Sequence, residues 1–169
     1  MSMIQNTVEA IAEEIDRSTE PYVVMPVGVP GSGKSTAMIA LAESLSIVRV
    51  CPDDIRERLT GDASDQAKNK EVWQTTHQEV GESLESGLAV IVDATHVNRE
   101  QRIEAVEMYK GFGATAAIAV VFDIDASTAK RRNANRQRVV PEHVIDRMHK
   151  SFIRHPVTCS EGFDKVLLV

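Results

Sequence analysis

The chain has 169 residues, a net charge of −6, 43% hydrophobic and 26% charged residues. This is one domain by length, with enough chain to bury a core and an ordinary soluble composition. No apolar run approaches a membrane span, no basic-then-apolar leader opens the chain, and the acidic balance argues against a protein that coats nucleic acid over its whole surface.

Ile4, Val8, Ile11 and Ile15 fall at helical steps and predict an amphipathic helix within an N-terminal extension over residues 1–20. This helix would pack on the sheet edge or on another subunit, the latter making the protein a homo-oligomer. After Glu20-Pro21, the apolar run Tyr22 to Val27 predicts a buried strand. Pro26 cannot donate to a ladder, so a local irregularity is expected there.

The next residues, Gly28-Val29-Pro30-Gly31-Ser32-Gly33-Lys34-Ser35-Thr36, fit the phosphate-binding loop pattern G-x-x-x-x-G-K-[ST]. The strand before the loop and the apolar helix after it supply the required context. Gly28, Gly31 and Gly33 let the backbone curl so that successive N–H groups face one anion. Pro30, Ser32 and Thr36 belong to the same loop. Lys34 brings a charge to the β- and γ-phosphates of ATP and follows the phosphoryl group as it moves. Ser35 offers a hydroxyl to Mg²⁺. A helix starting near Lys34 aims its positive end at the same phosphates.

A short strand is predicted over residues 47–50 and a short helix from Asp53, carrying Ile55 and Leu59. Asp53 either takes the proton of an attacking hydroxyl or caps this helix. Arg56, one turn on, either holds an anionic acceptor or pairs at the surface with Asp54 or Glu57. After a break at residues 61–64, a longer helix is expected from about Asp65 to Ser86, with Trp73, His77, Val80 and Leu84 on one face. His77 on that face reads as a satisfied, partly buried histidine. Leu88 to Val92 predicts a strand buried on both faces. Asp93 at its end stands where phosphate-loop proteins place the acid that binds Mg²⁺, and Thr95 follows.

Asn98 caps a helix with Ile103, Val106 and Met108. A strand is expected over residues 114–122, then a helix capped by Ser127 or Asp125. Asp123 and Asp125 are spaced like the aspartate pair of haloacid dehalogenase-type phosphatases. They read instead as strand end and helix cap. Lys130, Arg131, Arg132, Arg136 and Arg138 form a basic cluster without an acid among them. Arg132 and Arg136 would share a helical face. Pro141 suits the first turn of a further helix, and residues 166–169 predict a last strand. Alternating strands and helices imply an α/β fold, a parallel sheet with helices on both faces. Cys51 and Cys159 lack metal-type spacing and suit a reducing cytoplasm, and the histidines show no zinc-type spacing.

Gly28 to Thr36, Asp53-Asp54-Ile55-Arg56, Val92-Asp93-Ala94-Thr95, Arg132 to Arg136 and Val140 to Met148 together resemble the kinase domain of phage-type 5′-hydroxyl polynucleotide kinases. The resemblance runs over nearly the whole chain after Pro21. It implies a P-loop kinase fold of one domain over residues 1–169, with a lid at residues 127–140. It implies that Asp53 is the general base and that Arg56 and Thr95 meet the acceptor. It implies that Arg136 on the lid is catalytic, that Arg132 helps bind ATP, and that Ser35 and Asp93 serve Mg²⁺. The acceptor would be a 5′-hydroxyl DNA or RNA end. One departure stands out. In the best-known phage enzymes the acid directly precedes the threonine, where this chain has Ala94. Many such enzymes carry a 3′-phosphatase domain, and this chain is too short to hold one.

Two other functions fit the same residues. One is phosphorylation of a small acceptor, a nucleoside, sugar or nucleotide sugar, which the net negative charge favours. The other is an ATP-dependent switch or binding module, which needs no positioned base. Few aromatics are present, and no stacking platform for single strands is legible.

Overall fold

The computed structural model describes residues 3–15 and 20–169. Positions 1, 2 and 16–19 of the expected N-terminal extension lie outside the described residues. In chain order the elements are α1 (Met3–Glu14), β1 (Tyr22–Val27), α2 (Lys34–Leu45), β2 (Val48–Val50), α3 (Pro52–Thr60), α4 (Asn69–Glu85) and β3 (Val90–Val92). They continue with α5 (Arg99–Gly111), β4 (Ala116–Val121), α6 (Ala126–Ala134), α7 (Glu142–Arg154), a 3₁₀ turn (Cys159–Glu161) and β5 (Lys165–Leu168). The strands form one parallel sheet in the order β2-β3-β1-β4-β5. This is the α/β fold that the alternating pattern implies.

The sheet separates two cores, which explains why its strands read as unbroken apolar runs. Val23, Met25 and Val27 of β1 face one side with Val90, Val92, Ala117, Ala119 and Val121. There they meet Val72, Val80 and Leu84 of α4, Val106 and Tyr109 of α5, and Ile145 and Phe152 of α7. Tyr22, Val24, Ile91, Ile118 and Val120 face the other side, against Met38 and Leu41 of α2 and Val8 and Ile11 of α1. α1 therefore packs beside α2 on a face of the sheet, not at its edge, and Ile4 is exposed. Burying Val8, Ile11 and Ile15 contributes on the order of 5 kcal/mol by area. Lys165 of β5 ties down the end of α1, bonding the Glu14 carbonyl at 2.7 Å.

Several expected boundaries move. β3 begins only at Val90, and Leu88 is exposed after the left-handed turn at Gly87. α4 buries Val72, Thr76, Val80 and Leu84, spaced four apart, so Trp73 turns away from the core. In α5 the buried residues are Arg102, Ala105, Val106 and Tyr109, and Met108 faces solvent. Pro141 sits one residue before α7, as its N-cap. The capping expectations hold at Asn98, which accepts from the Gln101 N–H at 3.1 Å, and at Asp125, which accepts from the Thr128 N–H at 2.8 Å.

The irregularity expected at Pro26 is real. Pro26 lies in register with Val120 of β4, but on the other side the β1–β3 ladder ends at the Val24–Ile91 pair. The loop after β3 takes over. The Thr95 carbonyl accepts from the Gly28 N–H at 3.0 Å, and the His96 Nδ1 lies 2.8 Å from the Pro26 carbonyl. His96 reaches it from a left-handed backbone, φ +46°. Its Nε2 is buried without a partner among the described residues, and burial pushes its pKa down to about 4.

Neutral His96 donates to Pro26, and protonation would charge a buried ring. The folded pKa lies below the unfolded one, so the associated stability is complete above about pH 6.5 and is lost as pH falls toward 4. We expect wild type to lose roughly 3 kcal/mol more than His96→Asn between neutral pH and pH 4. Urea unfolding across that range checks this, and parallel curves would refute it.

Candidate active site

The loop between β1 and α2 takes the shape its glycines allow. Gly31 and Gly33 are left-handed, at φ +86° and +94°. A Cβ on Gly31 would lie 2.2 Å from the Ala129 carbonyl oxygen of α6, so only glycine lets the loop dock there. Gly28 is packed closely, though less so, with a Cβ there 2.9 Å from the Ser32 hydroxyl and 3.1 Å from Phe122. Gly33 caps α2, whose first residues are Lys34, Ser35 and Thr36.

Lys34 is buried, and its one hydrogen bond among the described residues is a long one, 3.4 Å to the Val29 carbonyl. Burial lowers its pKa to about 8; Arg136 lowers it further, while Asp93 and Asp53 act in the opposite direction. The Ser32 hydroxyl is likewise buried without a partner among the described residues. A buried, under-bonded ammonium and an unpartnered hydroxyl at a helix N-terminus suit an anion.

Asp93 is fully buried at its side chain and is shared. Its Oδ1 accepts from the Ser35 hydroxyl at 3.2 Å. Its Oδ2 accepts from Arg49 Nε at 2.9 Å and Nη2 at 2.7 Å. Arg49 also donates to Asp54 at 2.8 Å. Among the described residues, no group of three or more His, Cys, Asp or Glu is arranged to hold a metal. Mg²⁺ needs few protein ligands when phosphates and water complete its shell, and the Ser35–Asp93 pair fits that requirement.

Opposite the loop, Pro52 stands at the first position of α3 and Cys51 precedes it as N-cap. Asp53 therefore does not cap the helix. Its Oδ1 is held by Arg56, and its Oδ2 accepts from Arg138 of the lid at 2.8 Å. Arg56 is no surface residue paired with Asp54 or Glu57: it is 5% exposed, and its Nη2 donates to Asn69 of α4 at 3.0 Å. Trp73 follows Asn69 by one turn on the same face. It is backed by His77, whose Nδ1 lies 3.1 Å from the Tyr109 hydroxyl.

Residues from each of these elements line one cavity of about 570 Å³. The loop and α2 contribute Pro30, Lys34 and Ser35, α3 contributes Asp53 and Arg56, and α4 contributes Asn69 and Trp73. The end of β3 contributes Asp93, Ala94 and Thr95, and the lid contributes Arg136 and Arg138. Trp73 is thus an aromatic surface in the cavity, not on the buried face with Val80 and Leu84 where the helical spacing puts it. Arg132 is outside this lining but close to the loop: a Cβ on Gly33 would be 4.0 Å from its Nη1.

α6 ends at Ala134, so Arg132 and Arg136 do not share a helical face. The segment after α6 is pinned by buried Asn133, which donates to the Val140 carbonyl at 2.8 Å and accepts from its N–H at 3.1 Å. This clamp closes residues 134–139 into a loop that carries Arg136 and Arg138 over the cavity. Arg49, Asn69 and Asn133 were missed from sequence. Arginine in a three-residue strand was the one visible hint, because that position otherwise calls for an apolar residue.

Removing Arg49 would leave the Asp93 carboxylate buried without its cation. We expect Arg49→Met to cost about 3 kcal/mol and the double substitution Arg49→Met/Asp93→Asn to recover most of it. Chemical unfolding of both variants checks this, and additive losses would show that the pair is not coupled.

A family model described as an AAA domain matches residues 23–155, and the chain belongs to that family. A search of curated protein sequences gives no match. Among solved structures, the chain is similar to one in "Structure of the Pnkp1/Rnl/Hen1 RNA repair complex", with TM-score 0.74, 22% identity and 89% of this chain covered. It is also similar to one in "Structure of Pnkp1/Rnl/Hen1 complex", with TM-score 0.62, 26% identity and 75% covered. The chain spans 49% and 42% of the lengths of those two. A gluconokinase from Sinorhizobium meliloti 1021 is similar at TM-score 0.56 and 18% identity, over 88% of this chain and 82% of that one. A kinase-type P-loop fold is common ground among these structures.

Proposed function

We propose that this AAA-domain protein is a phosphotransferase that moves the γ-phosphate of ATP to the 5′-hydroxyl of a DNA or RNA end, all within a single kinase domain. The observation that carries the reading is the meeting of two half-sites in one cavity. A phosphate loop with a buried lysine stands on the donor side. On the acceptor side stands a carboxylate beside a buried arginine. Trp73 adds a flat apolar surface beside Asn69 and Arg56, which suits a nucleobase better than a sugar.

In this reading Arg56 holds the phosphate that follows the acceptor nucleoside, and Thr95 lies beside the acceptor. The 5′-oxygen attacks the γ-phosphorus, the bond to the β–γ bridging oxygen breaks, and ADP leaves. The hydroxyl proton passes to Asp53. Each Asp53 oxygen already accepts from one arginine, and each keeps a second lone pair for the acceptor hydroxyl. Lys34 and Arg136 neutralise charge on the phosphoryl group as it moves, and Arg132 steadies the loop end of ATP. Mg²⁺ held by Ser35 and Asp93 would supply further charge neutralisation.

A small acceptor is the second reading. The net charge of −6 and the likeness to the gluconokinase fold favour it.

Asp53→Asn should keep ATP affinity and lose transfer by about 10²-fold or more. Arg56→Ala should mainly raise the apparent KM for the oligonucleotide and leave that for ATP unchanged. Labelled ATP with 5′-hydroxyl oligonucleotides, mononucleotides and sugars reads both variants. Transfer to a neutral sugar but to no oligonucleotide would establish the small-acceptor reading, and an active Asp53→Asn protein would defeat the mechanism in either.

Trp73→Ala should raise the KM for nucleotide acceptors, since stacking on an aromatic side chain contributes about 1–3 kcal/mol per base. Unchanged KM values would remove Trp73 from the acceptor site.

A further inference from the structure

We propose that the outer face of α7 is a track for the sugar–phosphate backbone of the acceptor strand, on the 3′ side of its reacting end. The inference rests on the polynucleotide reading above. His143, Arg147, Lys150 and Arg154 follow one another at steps of four, three and four, so they form one stripe. The stripe lies opposite Ile145 and Phe152, which anchor α7 in the core. It lines a second, open concavity of about 530 Å³.

Three features distinguish this stripe from an ordinary solvated helix face. First, the one acid lining the concavity, Asp146, is already neutralised by Lys130 at 2.6 Å. Second, Arg147, Lys150 and Arg154 have no carboxylate partner among the described residues, whereas Arg49, Arg56, Arg58, Arg102 and Arg138 all do. α7 thus carries three such cations in one stripe, and Arg131, Arg132 and Arg136 of the lid segment likewise have no carboxylate partner among the described residues, in a chain whose net charge is −6. Third, Arg147 also lines the reaction cavity, so stripe and cavity are continuous.

From Arg147 to Arg154 the helix rises roughly 10 Å. At about 3.4 Å per stacked nucleotide, that length serves about three phosphates. A nucleoside or sugar filling the cavity would leave these cations unused, whereas a strand leaving the cavity past Arg147 would meet them in turn.

The test compares wild type with Lys150→Ala/Arg154→Ala, on a 3′-phosphorylated mononucleotide and on a 5′-hydroxyl single-stranded decamer. Exposed substitutions like these change stability by less than about 0.5 kcal/mol, which a melting curve verifies. The expected result is a drop of about tenfold in the decamer-to-mononucleotide ratio of kcat/KM, carried by KM. Binding of a fluorescent decamer should weaken in parallel. The slope of log affinity against log salt should flatten by about 1.4, the share of two phosphates on a single strand.

If wild type phosphorylates the decamer but the variant keeps its ratio and salt slope, the track is wrong and the polynucleotide reading stands. The stripe would then belong to another acidic partner. If wild type neither binds nor phosphorylates the decamer, the polynucleotide reading falls and the track falls with it.

Discussion

A carboxylate buried at the end of β3 has to be neutralised, and the way Asp93 is neutralised organises the centre of this protein. An unpaired charge at that depth would cost several kcal/mol. Asp93 instead takes three hydrogen bonds, two from Arg49 of β2 and one from Ser35 at the head of α2. Arg49 reaches on to Asp54 of α3. One acid therefore aligns the ends of β3 and β2 with the first turns of α2 and α3. Those are the elements that bring Lys34, Ser35 and Asp53 to one cavity. In a parallel sheet all the strands release their chains at the same end, which makes such a junction available.

A second charged junction does similar work at the far side of α5. Arg102 is fully buried and pairs with Glu161 through two bonds of 2.6 and 2.8 Å. Its remaining donors meet the carbonyls of His96 and His155 at 3.0 Å each. The loop after β3, the end of α7 and the 3₁₀ turn are thereby joined. That loop also contains Thr95 and His96, which take up the Gly28 N–H and the Pro26 carbonyl beyond the end of the β1–β3 ladder.

Donor and acceptor sides are connected through the lid. Ala129 packs against Gly31 of the phosphate loop, Asn133 clamps Val140, and the loop between them sends Arg138 to Asp53. A shift in α6 on nucleotide binding would therefore be felt at the acid proposed to act as base. Two groups of basic residues contrast: Arg49 and Arg102 are buried or half-buried and hold the frame together, whereas Arg136, Arg138 and the outer stripe of α7 face the cavity or solvent.

Much was decided locally and was legible in the residues themselves. Gly31 and Gly33 announce left-handed turns, the unbroken apolar runs announce strands covered on both faces, and Asn98 and Asp125 announce helix starts. The grouping of the phosphate loop with Asp53, Arg56, Asp93 and Thr95 followed from their common place after strand ends. What tertiary structure alone decided lies in contacts between distant positions. Periodicity put Trp73 on one face with Val80 and Leu84, but packing chose the stripe through Val72, Thr76, Val80 and Leu84 and turned Trp73 into the cavity. Spacing put Arg132 and Arg136 on one face, but α6 stops at Ala134. Asp93 and Arg49 are 44 positions apart, and Arg102 and Glu161 are 59 apart. Local pattern reports on helix and strand periods and on caps. It carries no information about which buried charge a fold will set against which other.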